Sequence, residues 1–86
     1  MYLLTYSKQA RKTLARAPTR VSSRILDRMK KIASNPFAPD NNAESMRGMH
    51  GYFRLRSGDW RVVYKVETEV LRIVVVKIAP RGGAYE

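Results

Sequence analysis

The chain has 86 residues, no cysteine, one histidine and a net charge of +10 from 17 basic and 7 acidic side chains. That length predicts one domain over 1–86, with a core of one sheet and one layer of helix. The missing cysteines exclude disulfides and thiolate metal sites, one histidine argues against a histidine zinc centre, and no cofactor is expected. No apolar run approaches the roughly 20 residues of a membrane span. The N-terminus lacks a basic segment followed by an apolar one, so no signal peptide is expected and a cytoplasmic location is. A field of this sign attracts polyanions. It leaves two partner classes, nucleic acid and an acidic protein, beside the plain alternative of an inert basic surface.

Met1 to Tyr6 is rich in aromatic and apolar residues and reads as a first strand. Ser7 offers an N-cap oxygen to a helix from Lys8 to about Ala17, whose thin apolar stripe is Ala10, Leu14 and Ala17. Pro18 stops it. Thr19 is placed to cap a second helix reaching about Ala33. Val21, Ile25, Met29 and Ile32 share one face of it, and Leu26 and Ala33 widen that face. Arg20, Arg24, Arg28, Lys30 and Lys31 occupy the rest, the three arginines either as a solvated face or as contacts to rRNA phosphates. Asn35-Pro36 ends the helix. Residues 37–43 read as a loop. Residues 44–50 are open between a short strand start at Ser45 to Arg47 and bends at Gly48 and Gly51.

From Gly51 to Glu67 the pattern alternates. Phe53 and Leu55 point to one side of a strand; Arg54 and Arg56 point to the other. Gly58-Asp59 is a short hairpin turn. Beyond it Trp60, Val62, Tyr64 and Val66 alternate against Arg61, Val63 and Lys65. Trp60 and Tyr64 belong to the core side of this pattern, and Lys65 and Lys77 read as surface charges. Val70 to Ile78 is nearly all β-branched and reads as a central strand covered on both sides. The order is βααβββ. The fold class is α+β, with a helical hairpin on one face of a small, mainly antiparallel sheet. The other face is open and collects Arg54, Arg56 and Arg61, either as a solvated basic face or as a grip on phosphates.

That order, and the run Tyr52-Phe53-Arg54-Leu55-Arg56-Ser57-Gly58-Asp59-Trp60-Arg61-Val62-Val63-Tyr64, resemble the RelE-type mRNA interferases of the RelE/ParE toxin superfamily. Ser7 to Ala10, Asn35-Pro36, Met46 to Gly48, and Arg81 followed by Tyr85 extend the resemblance across the chain. It implies a ribosome-dependent endoribonuclease. Such a toxin binds in the decoding site of the 70S ribosome and makes the 2′-OH of the mRNA attack the adjacent phosphate. It also implies restraint by a cognate antitoxin, an acidic or amphipathic segment wrapping the toxin.

Carried over by position, Arg61 and Arg81 hold the scissile phosphate, Arg54 and Arg56 grip phosphate or line the mRNA path, and Tyr85 stacks on a base or orients the 2′-OH. Some relatives carry lysine where this chain has Arg54 and Arg56, and a guanidinium does not deprotonate. Tyr85, beside arginines that favour its phenolate, and His50, the one side chain with an ordinary pKa near neutrality, are then the candidate proton acceptors. Pro80 stands where other relatives have a histidine. The alternatives are a ParE-type inhibitor of DNA gyrase, which shares the fold and usually lacks this basic set, and an inactive RNA-binding relative.

Overall fold

The computed structural model describes residues 1–39 and 42–81. Its elements are β1 (Leu3–Tyr6), α1 (Lys8–Arg16), α2 (Thr19–Ser34), β2 (Ala43–Ser45), β3 (Tyr52–Ser57), β4 (Trp60–Glu67) and β5 (Arg72–Pro80). They form one five-stranded sheet in the order β1-β5-β4-β3-β2. Only β1 and β5 pair in parallel; the other three ladders are antiparallel. The expected α+β arrangement with its two-helix layer therefore stands.

Two strand boundaries differ from expectation. Ala43–Ser45 is a strand, because its backbone pairs with Phe53 to Leu55 along the free edge of β3. Val70 and Leu71 belong to the β4–β5 turn, not to β5. Leu71 takes the left-handed conformation there, with φ at 51°. β5 is flanked by a strand on each side but is not buried on both faces: Val74, Val76 and Lys77 are half-buried.

The helices cover one face. Ser7 caps α1, its Oγ accepting from the Ala10 amide at 3.0 Å. Thr19 is not the cap of α2. Pro18 holds that position and gives no side-chain cap hydrogen bond, and Thr19 is already in the first turn. Proline's fixed φ suits this sharp entry between helices. The apolar stripe of α2 buries Ile25, Met29, Ile32 and Ala33, and α1 adds Ala10. They meet Leu55, Val62, Tyr64, Val66, Ile73, Val75 and Ile78 from the sheet. Each large aliphatic side chain so buried contributes about 1.5–3 kcal/mol by leaving water. Phe53 stacks on Tyr64 with ring centroids 5.5 Å apart, and Trp60 is half-buried against the same core. The two aromatics assigned to packing are packed. No helix among the described residues is long and apolar enough to cross a membrane.

Candidate nucleic-acid interface

Three of the arginines meet at the tip of the β3–β4 hairpin. Ser57 pairs with Trp60 and Arg56 with Arg61, so Gly58-Asp59 is a two-residue turn. Gly58 has φ at +59° and Asp59 does not have positive φ, the signs of a turn with glycine at its first central position. The Arg81 amide donates to the Asp59 carbonyl at 2.6 Å, which brings the end of β5 to the same turn. Placing Arg56 and Arg61 opposite each other sets like charges side by side, a mildly unfavourable pairing that a bound anion relieves.

Arg61 is held in place by the turn. Its Nη1 donates to the carbonyls of Gly58 and Trp60, both at 3.0 Å. The Nε–Nη2 edge of the guanidinium is left as a planar fork for an anion. Arg56 donates from Nη2 to the Asn42 side chain at 3.2 Å. Arg54 forms an ion pair with Glu44 across the β2–β3 ladder. The helix layer also reaches this tip. Nη1 of Arg24 lies 3.9 Å from where a Cβ on Gly58 would stand. A helical arginine read from sequence as one of a general basic face thus sits beside the turn; helical spacing alone carries no signal for it.

The next row inward is more informative. Arg54 pairs with Val63, and Val63 with Lys77. Val63 is flanked along its own strand by Arg61 and Lys65. It faces away from the helices and yet is only 6% exposed. Long basic side chains cover apolar surface with their methylene stems while the charge stays in water. Lys65 and Lys77, read from the pattern as surface charges, are both half-buried on the arginine face, and Lys77 reaches it out of phase with Ile73 and Val75. The reason is a bulge. Val63 pairs with Lys77 but Tyr64 pairs with Val75, so Val76 is an extra residue in β5. Strict alternation from Ile73 and Val75 would send residue 77 into the core. The bulge resets the phase, turning Lys77 out and Ile78 in.

The start of α1 supports this bulge. Ser7 donates from its hydroxyl to the Val76 carbonyl at 2.7 Å, and its amide donates to the Val75 carbonyl at 2.9 Å. Gln9 pairs with Ile78 as a strand residue would: its amide nitrogen donates to the Ile78 carbonyl at 3.0 Å, and its carbonyl accepts from the Ile78 amide at 3.1 Å. β1 ends at Tyr6, so these side chains complete the edge of β5 that β1 leaves uncovered.

His50 is not brought to the arginines. It is exposed in the turn before β3, the full length of that strand from the hairpin tip, about 20 Å at 3.3 Å per residue. It lines a separate groove of about 1020 Å³ with Phe37, Met46, Met49, Phe53 and Val70. Tyr85 lies outside the described residues. No cluster of three or more metal-ligating side chains occurs among the described residues.

The sequence matches, over residues 4–85, the family described as ParE toxin of type II toxin-antitoxin system, parDE. The chain belongs to that family. This ParE-family toxin superposes on a chain of the archaeal RelE-RelB complex from Pyrococcus horikoshii OT3 with a TM-score of 0.82 at 27% identity, over 95% of this chain and 97% of that one. It superposes on the isolated E. coli RelE toxin with a TM-score of 0.82 at 20% identity, over 99% and 92% of the two chains. A YoeB/ParE toxin from Agrobacterium tumefaciens gives a TM-score of 0.77 at 24% identity, over 92% and 98%. Comparison with curated proteins gave no match. The protein is a type II toxin of the RelE/ParE superfamily.

Proposed function

We propose that this toxin is a ribosome-dependent endoribonuclease that cuts mRNA in the decoding site. The observation that carries the reading is the meeting of Arg56, Arg61 and Arg81 at one hairpin tip, with Arg54 one row away. Attack of a 2′-OH on its neighbouring phosphate builds negative charge on a crowded phosphorane, and fixed cations aimed at that charge lower the barrier. Arg61, oriented by two turn carbonyls, and Arg81, tied by its backbone to the same turn, are assigned to the scissile phosphate. Arg54 and Arg56 hold the flanking backbone. Tyr85 is assigned to the base or the 2′-OH next to it, since stacking on an aromatic ring contributes roughly 1–3 kcal/mol per base. Location in the cytoplasm follows from that substrate.

A cognate antitoxin is proposed as the second partner. The Pyrococcus horikoshii relative was crystallised as a RelE-RelB complex, and so was the E. coli one. A net charge of +10 suits an acidic or amphipathic segment wrapping this chain.

The family description favours a second reading, inhibition of DNA gyrase without nuclease activity. The test is primer extension on a reporter mRNA incubated with purified toxin, with and without programmed ribosomes, beside a gyrase supercoiling assay. Cuts within codons that need ribosomes are the expected result. Cleavage of free RNA would remove the ribosome from the mechanism. Blocked supercoiling without any cleavage would replace the nuclease reading with the gyrase one and make the arginines a binding surface.

A further inference from the structure

We infer that Lys77 is the proton donor to the leaving oxygen, a role that rests on the nuclease reading above. Four arginines are assigned to the phosphates, and none of them gives up a proton at a working pH. The 5′-oxygen that departs when the phosphate bond breaks still has to be protonated. Of the described side chains on the arginine face, only the two lysines, Lys65 and Lys77, carry a transferable proton on a cation. Their positions separate them. Lys65 pairs with Tyr52 and Val74, and its ammonium lies 5.5 Å from the centroid of the Tyr52 ring. Lys77 is in the row of Arg54 and Val63, next to the row of Arg56, Arg61 and Ala79, and on the strand that Arg81 directly follows.

Lys77 reaches that face only through the bulge at Val76, and the bulge is held by the Ser7 hydroxyl and the Gln9 amide. A bulge that re-aims one side chain, with two further residues fixing it, is a built feature of the site. The step balances as follows. The 2′-oxygen bonds to phosphorus and its proton passes to solvent water. The bond from phosphorus to the 5′-oxygen breaks, and that oxygen takes a proton from the Lys77 ammonium. The products are a 2′,3′-cyclic phosphate and a free 5′-hydroxyl, and Lys77 is reprotonated from water.

The test uses short mRNAs programmed on ribosomes, with either the natural oxygen or a sulfur at the bridging 5′ position of the cleaved linkage. Thiols are far more acidic than alcohols, so a departing sulfur needs no proton. Lys77→Ala and Lys77→Arg are compared with the unmodified toxin, with folding checked by circular dichroism. Both variants are expected to cut the oxygen linkage about 100-fold or more slowly, the lower range for a general acid. Both are expected to cut the sulfur linkage at nearly the unmodified rate. Equal loss on both linkages would overturn the assignment and make Lys77 a structural or electrostatic group. Full rescue by Lys77→Arg on the oxygen linkage would also overturn it, because charge alone would then suffice. Unchanged rates in both variants would overturn it outright. An unmodified toxin that cuts neither linkage would overturn the nuclease reading itself, a failure visible before any variant is compared.

Discussion

The amide of Arg81 donates to the carbonyl of Asp59 at 2.6 Å, so the end of β5 is fastened to the hairpin tip by backbone, not by side chain. The guanidinium is therefore separable from the anchor. Arg81→Ala is expected to unfold within about 0.5 kcal/mol of the parent, as exposed substitutions do. It is expected to cut at least about 100-fold more slowly, the usual loss when one transition-state donor is removed. Arg81→Pro removes the amide as well and is expected to lose a further 1 kcal/mol or so of stability. Thermal unfolding beside single-turnover cleavage checks both. A large stability loss in the alanine variant would show that the side chain does structural work.

Gly58 is the hinge of the same tip. Its φ of +59° is strained for any residue with a Cβ, although the space around it is open, with Arg24 at ordinary contact distance. Gly58→Ala is expected to cost about 1–2 kcal/mol. In a domain of this size that lowers the melting temperature by about 4–8 °C per kcal/mol. Gly58→Asn is expected to cost less, because asparagine tolerates the left-handed region. Since the Gly58 carbonyl holds Arg61, the alanine variant is also expected to cut more slowly at temperatures where it is still folded. Equal melting temperatures for all three proteins would contradict the turn geometry.

Much of this was legible in the chain. The i, i+4 spacing of Val21, Ile25 and Met29 marked a buried helix face, and the alternation from Phe53 to Val66 assigned each side chain of the hairpin to its correct face. Alternation is a local signal, so it survives without knowledge of the fold. What was hidden depends on partners distant in sequence. β2 is only three residues long, and it is a strand because β3 offers it an edge. Val76 is a bulge because Tyr64 and Val63 pair around it, and in a run of valines no residue announces the change of phase. Arg24 is one of several helical arginines, and only the packing of α2 puts its guanidinium near Gly58.

Ser7 and Gln9 connect α1 to the bulge, and their removal separates capping from bulge support. Ser7→Ala loses the cap to Ala10 and the bond to Val76, and is expected to cost about 1–2 kcal/mol. Gln9→Ala leaves the cap intact and loses the paired bonds to Ile78, together with an exposed bond to the Thr13 hydroxyl at 3.1 Å, for about 1 kcal/mol. Amide hydrogen exchange is expected to quicken at Ile78 in the Gln9 variant while the amides of α1 keep their protection. Uniform loss of protection through α1 would instead assign Gln9 to helix stability.

Tyr6 tests the opposite effect, a polar group whose removal helps. Its hydroxyl is buried and has no hydrogen-bond partner in the described structure, and burial raises its pKa above the ordinary value near 10. A buried hydroxyl without a partner is unfavourable, so Tyr6→Phe is expected to be neutral or stabilising by up to about 1 kcal/mol. The pH dependence has a definite sign. The folded protein holds the phenol proton more tightly than the unfolded chain does, so this group's contribution is fully present below pH 10 and falls as pH rises through the raised folded value. The parent is therefore expected to lose stability in alkali faster than Tyr6→Phe. Denaturant unfolding at pH 8 and pH 11 reads this directly: the gap between the two proteins should widen at the higher pH. A constant gap would mean that the Tyr6 hydroxyl titrates alike in the folded and unfolded chain.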